Sequence, residues 1–483
     1  MSDANQVQLI VSEEATFGTY LSTSDAQIMA YTGAPRLGVE AKYITSNRIR
    51  STRDVADAVL VDKEAGGDIN FELSFGCIDN LIAGALFSDW VNLPSYANAT
   101  SDTPISNVSE GGGIYTLGTH SILVNHLIRT TGFTNSENNI NGAKVTAKDS
   151  TTITCDEETT VGESTVPVGA RIRVIGIEAE TADISSSSTD HSITSAAPLN
   201  FSTLGIAAGD WVYLTGLAWS GWCRVASLET VVSGYDKLIF DRYPATFSTD
   251  DGSGDTVKIY MGDKITNSTT KKSYTIELKY DDHTPDEYIT ALGCVVNTLN
   301  FELNQADIVK ASVNVMGKTG TISTTRTVVA AKEVAATTNT PFNTSSEVGQ
   351  IVLGNTAIAS PNYVMRTNIS LTNNLRRKQA IGTIGVIGLG AGRCNITGSL
   401  NTYFGDKTFV EYSFNATAVG YSIVLDDDSD QHLLIDIPRI KFTGGIPDVS
   451  GVDADVMVDL PFQAMIDPDL SYSIKIQRFW YIP

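Results

Sequence analysis

The chain has 483 residues, 42% of them hydrophobic, and a formal net charge of −22 from 33 basic and 55 acidic side chains. That length accommodates about three domains, and that apolar share is enough to build ordinary packed cores. A surface so acidic repels nucleic acid and anionic membrane, which excludes a sequence-specific DNA-binding protein but suits a wall past which DNA slides without sticking.

The first residues lack the basic and apolar regions of a secretory signal, so the expected compartment is the cytoplasm in which the chain is made. No apolar run approaches the roughly 18 residues of a membrane span. The cysteines (Cys77, Cys155, Cys223, Cys294 and Cys394) are scattered and odd in number, with no CxxC pair. They argue against a disulfide framework or a zinc knuckle and for a reducing compartment.

Apolar and polar residues alternate along the whole chain, punctuated by Gly, Asn, Asp and Thr, which predicts many short antiparallel strands and an all-β fold with short helices. A basic segment at 47–53, carrying Arg48, Arg50 and Arg53, leads into an apolar arm at 55–61. A turn is expected at Gly66 and Gly67, followed by the strand 68–74, where Asp68, Asn70 and Glu72 stand opposite Ile69, Phe71 and Leu73. A helix is expected over 79–90, because Ile78, Leu81, Ile82, Ala85, Leu86 and Trp90 fall on one stripe and Asp79 suits an N-cap.

Further on, residues 125–133 resemble 209–217, and each stretch is followed by a Gly, a Val strand and a strand ending in Asp. This predicts an insertion of two small β units at 100–270, with exposed loops at 185–188 and 250–255. Within it Trp211, Trp219 and Trp222 lie close together, suited either to a small core or to a glycan-binding surface. Residues 330–346, rich in Ala and Thr, form the expected linker.

Then the opening order recurs. Arg376, Arg377 and Lys378 lead into an apolar stretch at 381–389, a turn at 390–392, a strand at 395–401 and a short helix from Asp406 with Phe409, Tyr412 and Ala416 on one face. Strand pairs also correspond: 293–301 with 307–316, and 437–442 with 453–465. In the last of these, Asp453, Asp455 and Asp459 stand opposite Val456, Val458 and Leu460. Four segments repeated in one order argue for duplication, with 1–100 and 270–330 as a first unit, 100–270 inserted and 347–483 as a second.

The ordered set resembles the tail tube proteins of phages with long non-contractile tails. The residues that carry the resemblance are 67–73 (Gly-Asp-Ile-Asn-Phe-Glu-Leu) running into the Leu-rich helix, 274–278 (Tyr-Thr-Ile-Glu-Leu), 308–317, 395–404 and 437–441, with Gly209-Asp210-Trp211-Val212 and 224–227 in the insertion. The resemblance implies two tandem tail-tube-type β-sandwich or barrel domains plus an inserted small β domain. It also implies stacked rings around an inner β-barrel, a helix outside, and a hairpin arm reaching the next ring. Such rings present six tube domains, so two per chain imply homotrimer rings with pseudo-sixfold symmetry; a hexamer follows if one copy alone lines the bore. Expected partners are further copies of the chain and the tape measure, tail tip and terminator proteins of the virion tail, with DNA passing through the lumen and no membrane contact. Lumen-facing candidates are Asp68, Asn70, Glu72, Asp453, Asp455 and Asp459, each also readable as an ordinary solvated strand residue. Ring-stacking candidates are Arg48, Arg50, Arg53, Arg376, Arg377 and Lys378, placed at the base of the arms against acidic groups of adjacent subunits.

Signals of chemistry do not accumulate. His120, His126, His191, His283 and His432 have no metal-ligand spacing, and no HExxH occurs. Gly388, Gly390 and Gly392 have the wrong spacing for a dinucleotide loop and precede a strand instead of a helix. The acidic run 426–430 reads as a hairpin tip before a Ca²⁺ site. No cofactor, metal or catalytic residue is therefore expected. The rival readings are a virion decoration or receptor-binding protein and, less favoured, a glycan-degrading enzyme, for which no carboxylate pair stands out.

Overall fold

The computed structural model describes residues 3–33, 35–49, 51, 54–98, 105–196, 199, 201–231, 235–254, 256–354, 356–358, 363–449 and 451–483. Half of the chain is strand. The α-helices among the described residues are short, Asp79–Leu86 and Thr408–Phe414, so the protein is all-β with short helices.

One open sheet runs through both repeated parts of the chain. Strand Ala58–Glu72 pairs with Lys310–Gly317, which pairs with the long strand Glu287–Asn304. That strand then pairs with Val364–Thr372, followed by Asn395–Tyr403 and Met457–Ala464, every step antiparallel. Period-two alternation sends one set of side chains inward: Ile69 and Phe71, Leu299 and Phe301, Ile369 and Leu371, Leu400, Leu460 and Phe462 are all buried in a single core. The opposite layer of that core is made by helix Asp79–Leu86, strand pair Val7–Glu14 and Ser273–Tyr280, and strands Val419–Asp426, His432–Phe442 and Lys475–Phe479. Strand order repeats. Ala58–Glu72, Lys310–Gly317 and Glu287–Asn304 lie side by side in one half, as Asn395–Tyr403, Met457–Ala464 and His432–Phe442 do in the other.

A second sheet contains the strands from Ser95–Ala97 to Lys258–Tyr260 and encloses two separate cores, one around Tyr115 and Ile153 and one around Trp219 and Phe240. The two stretches matched by sequence begin equivalent meanders: His126–Thr131 with Asn141–Lys148 and Thr152–Cys155, and Trp211–Thr215 with Gly221–Val231 and Tyr235–Arg242. Asp263–Thr266 already belongs to the first sheet, paired with Lys475–Phe479.

Local expectations are corrected in four places. The helix ends at Leu86 because Phe87 turns left-handed (φ 52°) and its N–H closes on the Ala83 carbonyl. Trp90, beyond the helix, folds back to donate from Nε1 to the Asp79 carbonyl at 3.1 Å. Gly66 and Gly67 make no turn, since the strand runs straight through them; they are the points where a Cβ would run into the carbonyl oxygens of Val315 and Arg36. The strand expected from Asp453 starts only at Met457, so Asp453 and Asp455 sit in the exposed turn before it. Residues 330–346 are no free linker: Phe342 is fully buried, its N–H donates to the Leu73 carbonyl at 2.8 Å, and its carbonyl accepts from Val309 at 2.8 Å.

Candidate functional site

The solvent face of the six-strand sheet is a continuous polar surface. Read across the register, Asn70, Ser312, Asn300, Ser370, Thr397 and Gln463 form one row. Glu72, Lys310, Glu302, Asn368 and Ser399 form the next. Side chains bridge the strands: Asn314 Nδ2 donates to Asp68 Oδ1 at 2.6 Å, Asn300 Nδ2 to Ser312 Oγ at 3.0 Å, and Ser370 Oγ to Asn300 Oδ1 at 2.6 Å. Amides and hydroxyls dominate; Lys310 stands between Glu72 and Glu302, while Asp68 faces Asn314, Asp459 faces Asn401, and Arg366 lies between Asn304 and Asn401. Such a surface presents hydrogen-bonding groups without a cationic track to hold phosphate. Asp68, Asn70, Glu72 and Asp459 stand on it, exposed; Asp453 and Asp455 do not, lying beyond the end of the last strand.

Two hairpins leave this sheet from the same end. The larger is Gly38–Thr45 against the first part of Ala58–Glu72, the smaller Arg376–Lys378 against Gly388–Gly390. Arg48 lies in the loop at the tip of the larger hairpin, not at its base; Arg50 and Arg53 fall outside the described residues. Arg377 does sit at a base, where its guanidinium pairs with Asp62 at 3.1 Å and with Glu64, while Gln379 donates to Asp62 at 2.8 Å. Its acidic partners are therefore in the same chain, and they fasten one hairpin to the other. Burial raises the Asp62 carboxyl, but Arg377 and the hydrogen bonds from Lys63 and Gln379 outweigh it and hold the group below the usual carboxylate range. Arg376 and Lys378 remain exposed.

A third feature has no counterpart in the sequence patterns: a buried ionic seam fastens the inserted sheet to the outer layer. Asp263, fully buried, accepts from Arg173 at 3.1 Å, Arg478 at 3.2 Å and Trp480 Nε1 at 2.7 Å, and Arg478 also pairs with Asp79. Burial pushes the Arg173 guanidinium down to about 9 against the pull of Asp263, and its head lies 3.5 Å from the Trp480 ring centre. Asp210 takes Lys475 at 2.7 Å and Lys264 at 2.5 Å; Arg224 bridges Asp241 and Asp436. Around these charges Leu127, Ile175, Trp211 and Tyr260 pack on Val424, Leu434 and Phe479.

This settles where the tryptophans are. Trp211 and Trp219 are buried, and half-buried Trp222 packs edge-on against Phe479 with centroids 4.8 Å apart. They fill cores and the seam, which removes the aromatic surface that a glycan-binding reading required. Among the described residues no group of three or more His, Cys, Asp or Glu is placed to hold a metal ion. The cysteines are free thiols, four of them buried. The acidic run is a hairpin tip, where Asp427 Oδ1 accepts from the N–H groups of Ser429 and Gln431, each at 2.9 Å.

The sequence profile of phage tail tube proteins matches residues 4–464, nearly the whole chain. The chain belongs to the phage tail tube protein family. Among curated proteins no match is found. Tail tube proteins are structural components of the virion tail. For this tail tube protein the sequence reasoning missed Asn300, Ser312, Ser370 and Ser399, although the alternation of buried and exposed positions in 298–303, 310–316, 366–372 and 395–401 is the signal that finds them. It also missed Asp62 and Glu64 as partners of Arg377, for which the sequence holds no signal.

Proposed function

We propose that the protein is the ring-forming subunit of the tail tube, three chains closing a pseudo-sixfold ring whose bore is lined by the polar face of the six-strand sheet. In this reading 1–94 with 261–330 and 347–483 are the two tube units, and the sheet from 95 to 260 decorates the outside. Stacked rings conduct the viral DNA toward the host, which passes amides, hydroxyls and sparse, mostly negative charge without binding. The tape measure occupies the bore before ejection, and tip and terminator proteins cap the two ends.

The observation that carries the proposal is one open sheet, shared by both halves, with a buried apolar face and an uninterrupted polar one. Open edges invite pairing, and a ring of copies is the arrangement that uses every edge. The seam inside the chain supplies a pattern for the seam between chains. Glu287–Asn304 pairs with Val364–Thr372, and their counterparts in strand order are residues 440–448 of the second half and 35–38 of the first, which lie beside Ala58–Glu72 through the Arg36 N–H to the Asp68 carbonyl. Edge 440–448 of one chain against edge 35–38 of the next continues the sheet with the same geometry.

Negative-stain electron microscopy of the concentrated protein, with mass measurement of any ring, tests this. Hollow tubes or rings of three chains are expected. A protein that stays monomeric even when supplied with purified tail tips contradicts it.

A further inference from the structure

Within the buried seam one amine and one acid meet almost out of reach of water. Lys475 and Asp210 are 3% and 4% exposed, and Lys475 Nζ lies 2.7 Å from Asp210 Oδ1. They come from opposite sides of the junction. Asp210 directly precedes strand Trp211–Thr215 of the inserted sheet, and Lys475 opens strand Lys475–Phe479 of the outer layer. Asp210 is the group to which the Lys475 ammonium donates, and the Tyr472 ring centre lies 4.9 Å from Nζ. Burial pushes this ammonium below its ordinary range, aided by Lys264 and opposed by Asp210.

The second oxygen of Asp210 is furnished differently. Its Oδ2 accepts from the Ala207 N–H at 2.8 Å and from Lys264 Nζ at 2.5 Å. Lys264 is also held by the Gly205 carbonyl at 2.9 Å and is partly exposed, so it is the less free of the two amines. A further carboxylate, Asp436, is fully buried and faces Lys475 directly across the register of His432–Phe442 and Lys475–Phe479. Arg224 holds its Oδ2 at 3.3 Å, while its Oδ1 is buried with no hydrogen-bond partner.

We propose that Lys475 and Asp210 condense to an isopeptide bond, a covalent staple between the inserted sheet and the outer layer. It goes beyond the ring reading and holds or fails whatever the number of chains per ring. Passing one proton from Nζ to Oδ1 leaves a neutral amine against a neutral acid, a state that a buried site favours over an unhydrated charge pair. Nζ then adds to Cγ, and the negative charge gathers on Oδ2, where the Ala207 N–H and Lys264 serve as its donors. Asp436 Oδ1 takes a second proton from the nitrogen and hands it to Oδ1 of Asp210. The Cγ–Oδ1 bond breaks, one water leaves and an amide remains, with no oxidant or reductant required. A cavity of about 270 Å³ lined by Asp210, Lys264 and Gln477 gives that water a way out. The bond joins positions 265 residues apart, and closing so long a loop restricts the unfolded chain.

Mass spectrometry of the denatured full-length chain tests it. The expected mass is that of the sequence less one water, and digestion is expected to give a branched peptide joining residues 210 and 475. The unreduced mass, a branch at Lys264 instead, or a water lost without a branch, as from a succinimide at Asp251-Gly252, overturns the proposal. Lys475→Arg keeps a cation but lacks the amine, and is expected to restore the full mass; loss of water from that variant also overturns it. After cell-free synthesis the bond is expected to form at least tenfold more slowly in Asp436→Asn and to recover in Asp436→Glu. Formation at the parental rate in Asp436→Asn removes Asp436 as the proton carrier. If that variant does not fold, the branched peptide of the parent chain still decides whether the staple exists.

Discussion

Single side chains in this protein divide by whether their partners are local. His126 is buried at 4% exposure, its Nδ1 accepting the Leu123 N–H at 3.2 Å, and burial, aided by Lys148, pushes its pKa down to about 4. His432 is pushed down to about 4 as well, again by burial. Both are neutral when folded, so as pH falls the unfolded chain takes up the protons first. Their contribution to stability is complete above the unfolded value, near 6.5, and is lost progressively down to about 4, by about 3 kcal/mol at most for each. Thermal unfolding midpoints should therefore decline between pH 6.5 and 4, and less steeply in His126→Asn; parallel slopes for parent and variant contradict this. The alternation Asp68, Asn70, Glu72 against Ile69, Phe71, Leu73 was legible because a strand with one wet face writes its geometry into every second residue. Asp453 and Asp455 share that spacing by accident, since Gly451 and the turn that follows precede the strand, and alternation alone does not say where a strand begins.

At the scale of elements, the inserted sheet is joined to the outer layer by contacts that join distant parts of the chain. Gln477 accepts from the Trp211 N–H at 2.7 Å across 266 positions, and Arg478 reaches Asp263 across 215. No periodicity encodes such a junction, which is why two small units were legible as repeats while the surface on which they dock was not. The same holds for residues 330–346, whose Ala and Thr composition conceals the anchoring of Phe342. Removing one partner from a buried ion pair costs more than the pair contributes, because the other charge stays behind without water. Asp263→Asn, which strands Arg173 and weakens the hold on Arg478, should destabilise the protein by about 3–5 kcal/mol. Chemical denaturation measures the loss, and limited proteolysis should show cleavage near 93–95 and 260–262 ahead of global unfolding. A change within about 0.5 kcal/mol, the range of ordinary surface substitutions, contradicts a structural role for the seam.

Across the whole molecule, an acidic chain builds two repeated halves into one sheet, buries one face of it, leaves the other polar and keeps both edges open. The all-β class and the family resemblance were legible because strands with one dry and one wet face write period-two alternation along the whole chain, in an order that the family shares. The continuity of the sheet across the two halves was not, since Glu287–Asn304 and Val364–Thr372 meet through a register that neither strand announces. That continuity is what makes two units per chain and three chains per ring a consistent count. The most direct test is a cryo-electron microscopy cross-section of tubes assembled from the purified protein. Three chains per ring with Asn300, Ser312, Ser370 and Ser399 on the bore wall are expected; six chains per ring, or a bore lined by the inserted sheet, contradicts the proposed ring.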